Sequence, residues 1–210
     1  MLVFGACGSA LFVIVFLLEG FFRSNYKSLE HPISSLAIGN DAWIQQLNFI
    51  LTGISITLFA FGLRKSIKPS FGAFAGPLLI GMAGIGLIGA GICSTDPIYG
   101  YPMDMPLRLA QYTIRGKLHD FFSIFLFLGL PFTCFIYRKH FLSLGKKQWA
   151  RYSTATAVGI FLFFILAGLG FKQAAPLVYF AGLFQRISVI IGCIWIIMLG
   201  IHFIRQPEII

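Results

Sequence analysis

Six stretches of about twenty residues, almost free of charge, follow one another along the chain near 2–22, 43–63, 74–94, 119–137, 150–170 and 184–204, each long enough to cross a ~30 Å hydrocarbon layer as a helix. In lipid a backbone N–H or C=O finds no water, so such segments fold as helices whose hydrogen bonds stay within the segment. The gaps between them are too short for a soluble domain, which needs on the order of 50 residues. The expectation is therefore an all-α, polytopic membrane protein: one transmembrane domain over residues 1–210, built as a single six-transmembrane-helix bundle. Composition agrees, since 58% hydrophobic and 11% charged residues cannot clothe a water-soluble globule.

The net charge of +9 would suggest nucleic acid in a soluble domain. Here the basic residues punctuate the spans, where Lys and Arg meet phospholipid headgroups, so membrane lipids are the expected partners and nucleic acid is not. Cys7, Cys93, Cys134 and Cys193 all fall inside spans and act as small apolar residues, implying no disulfide framework. The first span has no basic region before it and an apolar run longer than a secretion signal uses, so it reads as a retained helix.

An even number of spans puts both termini on one side. Nine Lys and Arg lie in short loops on that side: Arg64, Lys65, Lys68, Arg138, Lys139, Lys146, Lys147, Arg151 and Arg205. The other seven are spread over longer loops, which predicts cytoplasmic termini in the cell (plasma) membrane. The same sorting places Glu19, Glu30, Asp41, Asp96, Asp104 and Asp120 on the outer side, with Glu208 alone within. His31, His119, Gln45, Asn48 and Gln185 join the outer set, so the outer third of the bundle is polar.

Within the second span, Gln45, Asn48, Thr52 and Ser55 share one helix face, which should turn toward other helices or a wet cavity. The third span contains Gly84-Ile85-Gly86-Leu87-Ile88-Gly89, which matches a dinucleotide-binding fingerprint by letter. That fingerprint needs a preceding strand in a βαβ unit. Mid-span, the glycines read instead as small residues that let helices approach closely. The fourth span opens on Arg115-Gly116-Lys117-Leu118-His119-Asp120. An acid in a first helical turn gains from unpaired N–H groups and the helix dipole, which accounts for Asp120 but not for His119. Arg186 opens the sixth span, where it can snorkel to headgroups or pair with an outer carboxylate.

His31, Pro32, Ser34 and Ser35, then Trp43, Gln45, Asn48, Gly53, Gly62 and Leu63, and finally Asp96, Pro97, His119 and Asp120, recur in an order and spacing that resembles the bacterial membrane family known as domain of unknown function 998. The resemblance covers nearly the whole chain. It implies the fold and the membrane placement, and brings no catalytic assignment with it.

Three functional expectations follow. The first is a pocket at the outer leaflet that binds or modifies a lipid headgroup or small polar molecule. Its candidate catalytic residues are His119, Asp120 and Asp96, with Asn48, Gln45, Glu19, His31, Ser34, Ser35 and Arg186 available for binding. As an enzyme it would be a membrane-embedded hydrolase, with His119 held by a carboxylate as general base, or with His119, Asp96 and His31 ligating a divalent metal that activates water. The second is a small solute or ion transporter, for which the inner half offers few ionisable stepping stones. The third is a structural or accessory protein whose polar cluster only packs helices together.

Overall fold

The computed structural model describes residues 1–67, 71–98, 100–103 and 112–206, with the side chains of 71–73 excepted. Lys68, Asp104, Arg108 and Glu208 lie outside the described residues. Among the described residues six α-helices carry the fold: α1 Leu2–Phe22, α2 Ala42–Ser66, α3 Phe71–Ile92, α4 Ile114–Ser143, α5 Lys147–Phe171 and α6 Ala181–Arg205. All six include a stretch long and apolar enough to span a membrane, so the protein is a multi-pass integral membrane protein of all-helical fold.

Each helix packs on its neighbours in sequence, and α6 packs back on α1, so the six close into a ring. Glycine sets the close seams. A Cβ on Gly84 would lie 2.5 Å from Thr57 Oγ1 and 2.7 Å from the Gly53 carbonyl oxygen, and one on Gly91 would lie 2.8 Å from the Gln46 carbonyl oxygen. The other face of α3 turns Gly86 and Gly89 onto Phe122 of α4. The fingerprint-like glycines therefore let α3 seat between two neighbours, as small residues do where lipid supplies no hydrophobic drive between helices. Large apolar side chains face outward all round, Phe21 (81% exposed) and Ile165 (57%) among them.

Two ends can be told apart. The terminal end holds Met1 and Gln206. The other, here called the capped end, is closed by residues 24–41, which fold inward: a 3-10 turn at Ile33–Ala37 buries Ile33, Leu36 and Ala37 almost completely. At this end α4 departs from expectation, beginning at Ile114 rather than near 119. At 1.5 Å per residue its 30 residues extend about 45 Å, well beyond the hydrocarbon. His119 and Asp120 therefore sit in the second turn, and the role foreseen for Asp120 at the helix start belongs to Thr113 and Asp96. Thr113 Oγ1 accepts from Gly116 N–H at 3.0 Å. The Asp96 carboxylate accepts from Thr113 N–H (2.9 Å) and Thr113 Oγ1–H (2.6 Å), where it also meets the positive end of the helix dipole.

The glycine seams yield a contrast. Gly84→Leu drives a side chain into the α2 backbone and should cost about 1–3 kcal/mol or abolish monodisperse folding. A Cβ on Gly168 meets nothing within 4 Å, so Gly168→Ala should leave the unfolding midpoint in detergent unchanged or raise it.

Candidate functional site

At the capped end the ring encloses a cavity of about 310 Å³ that touches all six helices and the inturned 24–41 segment. Its wall is sorted by polarity. Ser34, Thr95, His119, Asp120, Ser123 and Gln185 supply the polar atoms, and Phe12, Phe49, Leu87, Phe127, Phe164 and Val189 line the rest. Below it lies a void of about 20 Å³ whose wall holds no ionisable group except the thiol of Cys193.

His119 is 3% exposed. Its Nδ1 faces two carbonyl oxygens at the end of α3, Ala90 at 3.0 Å and Cys93 at 2.8 Å. Carbonyls only accept, so Nδ1 carries the proton and donates. In the neutral ring Nε2 is then an acceptor, and no described residue bonds to it. Asp120 is exposed along the cavity wall, with no hydrogen bond or ion pair to a described residue.

The side of the ring that leaves the cavity open can be read from exposure. Lining residues of α1, α2 and α3, such as Phe12, Phe49 and Leu87, are buried, whereas Ile124 of α4 is 47% exposed and Gly168 of α5 has open space where a side chain would be. Hydrogen bonding draws the same line. Asn48 Nδ2 bonds α2 to the Phe12 carbonyl of α1 (3.2 Å). Gln46 Nε2 reaches Ser94 beyond α3 (3.0 Å), His119 joins α4 to α3, and Ser188 and Trp195 join α6 to α5. Among the described residues no side-chain hydrogen bond joins α4 to α5, which meet through the stacked rings of Phe127 and Phe164, 4.5 Å between centroids.

The remaining foreseen residues divide among separate tasks. Arg186 does not snorkel and pairs with no described carboxylate: it is 5% exposed and turned inward. Its Nη1 donates to the carbonyls of Ser28 (2.6 Å), His31 (2.9 Å) and Gly182 (3.0 Å), and its Nη2 donates to the Tyr26 hydroxyl. The guanidinium also lies over the Tyr26 ring, 5.4 Å from its centroid. It thus latches the capping segment onto α6, and the Gln185 side chain beside it accepts from Ile33 N–H at 2.8 Å. Tyr26 donates in turn to the Pro32 carbonyl at 2.9 Å. Glu19 pairs with Arg23, which also donates to the Asp41 carbonyl at 3.0 Å. His31 accepts from Lys27 N–H at Nδ1, 3.0 Å, and packs against Tyr26 and Tyr101.

Gln45 accepts from Asn48 at 3.2 Å, and neither lines the cavity. Gln45 Nε2, Glu19 Oε2 and Ser35 Oγ are buried without a partner among the described residues. Of the three residues considered as metal ligands, Asp96 is engaged by Thr113 and His31 by Lys27, and among the described residues no three His, Cys, Asp or Glu side chains converge on a metal position.

Ser123 went unforeseen. It lies three residues after Asp120 and four after His119, the spacing that puts side chains on one helix face, so the signal was present in the sequence. Thr95 and Gly168 carry no such mark.

Two measurements check the latch. Arg186→Met leaves buried carbonyls unpaired and should cost on the order of 3 kcal/mol, read as a lower unfolding midpoint with faster proteolysis within 24–34. Burial pushes the Tyr26 hydroxyl up from 10 to about 12, against an opposing pull from Arg186. A raised folded-state value means the contribution is complete below pH 10 and lost as pH rises through about 12. The phenolate absorbance missing from a Tyr26→Phe variant should therefore appear only near the top of that range, together with loosening of the cap.

No curated protein and no solved structure matches this chain. A family model does match, over residues 6–202, under the description protein of unknown function (DUF998). That match spans nearly the whole chain and includes every residue of the cavity wall, and on it the chain belongs to the DUF998 family of membrane proteins.

Proposed function

We propose that this protein binds a membrane amphiphile, a lipid or lipid-like molecule, in the capped-end cavity, admitting it sideways between α4 and α5. The observation that carries the reading is the sorted wall: a polar rim at one end of an otherwise apolar chamber suits a molecule with a polar head and an apolar tail. Segment 32–34 lies across the capped end, the exposed lining residues Asp120 and Ile124 belong to α4, and Gly168 of α5 faces open space, so the route favoured is from lipid rather than from water. The volume accommodates a head and part of a chain.

Binding is favoured over hydrolysis because no described hydroxyl is hydrogen-bonded to His119 Nε2 and no three described His, Cys, Asp or Glu side chains converge on a metal position. It is favoured over transport because the void beneath the cavity offers no carboxylate, histidine, lysine or arginine to continue a path. The density of Lys and Arg in the short loops of the terminal end supports the capped end, and with it the head site, on the extracytoplasmic side.

Gly168→Trp tests the reading, since the added ring enters open space rather than backbone. Wild-type protein purified in mild detergent should retain amphiphile by native mass spectrometry. The variant should fold with an unchanged elution profile and retain at least about tenfold less. Equal retention would end the proposal. Labelling of a cysteine placed at Asn25 by an impermeant reagent on intact cells, with one at Gly145 protected, is the expected sidedness.

A further inference from the structure

We propose that the cavity selects an amphiphile headed by an ammonium group, an inference that rests on the binding reading above and names the ligand class for that site. The polar atoms left over after folding decide it. His119 presents a lone pair at Nε2, because its only proton in the neutral form lies on Nδ1 between the Ala90 and Cys93 carbonyls. Asp120 presents a carboxylate that forms no hydrogen bond or salt bridge with a described residue. Nor is Asp120 needed to answer the α4 helix start, where Asp96 and Thr113 already do so. The hydroxyls of Ser34, Thr95 and Ser123 can accept or donate, and Gln185, whose oxygen is engaged by Ile33 N–H, keeps an amide donor.

Among the described lining residues there is no Lys or Arg. The nearest buried cation in sequence, Arg186, is turned onto the carbonyls of Ser28, His31 and Gly182. The chamber thus holds one negative charge and a lone pair in apolar surroundings, where an opposite charge is attracted far more strongly than in water and a like charge is repelled as strongly. An ammonium has three donors and no acceptor, and so meets both groups at once. A phosphate head would bring a further negative charge beside Asp120.

The test uses the full chain in phosphatidylcholine nanodiscs, titrated calorimetrically with dodecylamine, dodecanol and dodecyl phosphate. The same titrations on Gly168→Trp protein are subtracted to remove partition into lipid. Dodecylamine should bind about tenfold more tightly than dodecanol, and dodecyl phosphate most weakly. Asp120→Asn, at a side chain without a hydrogen-bonded partner among the described residues, should keep the wild-type unfolding midpoint while losing the amine preference. Three probes bound alike, above the Gly168→Trp background, would overturn the head selectivity and leave the cavity reading standing. No difference between wild type and Gly168→Trp for any probe would overturn both. A preference for amine that survives Asp120→Asn would overturn the role of the carboxylate and with it this proposal.

Discussion

A hydrocarbon layer offers no hydrogen-bond partners, so any polar side chain drawn into this bundle has to be answered by another part of the same chain. The answer here is mostly main chain. Arg186 takes carbonyls from residues 28, 31 and 182, His119 takes those ending α3, Asn48 takes one from α1, and Asp96 takes the N–H of Thr113, which caps α4. Apart from the Arg186 bond to Gly182 within α6, each bond joins two elements that are otherwise held mainly by apolar packing. Carbonyls near helix ends and in the inturned segment are the unsatisfied ones, which is why these ties gather at the capped end.

That distribution has a structural consequence. Five of the six seams of the ring carry a side-chain hydrogen bond, directly or through a connecting segment, and the α4–α5 seam carries none among the described residues. Aromatic contacts hold that seam instead, Phe127 on Phe164, Phe132 on Phe161 and Phe141 on Trp149, the first at a level where the wall also includes Gly168. Apolar contacts with lipid and with a neighbouring helix are nearly equivalent, so such a seam yields more readily than one tied by polar groups. The cavity and its open side are thus parts of one arrangement, with the polar residues of α4 placed just inside it.

Much of this was legible in the residues. Six apolar runs of membrane-spanning length, the small residues of α3 and the concentration of acids at one end follow from hydropathy and spacing. The candidate site was legible only in part. His119 and Asp120 line the cavity with Ser34, but Asp96 braces a helix start, Glu19 pairs with Arg23, and Gln45 with Asn48 faces away from the chamber. Sequence position located these groups along the membrane normal. It carried no information about rotation around each helix axis, which separates a lining residue from a brace one turn away.

Length and hydropathy settled that the chain spans a membrane six times as helices, because the lack of water in lipid leaves a backbone no other way to cross. They also settled which end is polar. Which polar atoms were left unengaged was decided by packing: Thr113 and Gly116 drew Asp96 to the start of α4 and so released Asp120, while the close approach of α4 to α3 fixed the proton of His119 on its inner nitrogen. Hydrogen bonds between residues distant in sequence depend on distances of a few tenths of an ångström, and only the assembled ring of helices sets those.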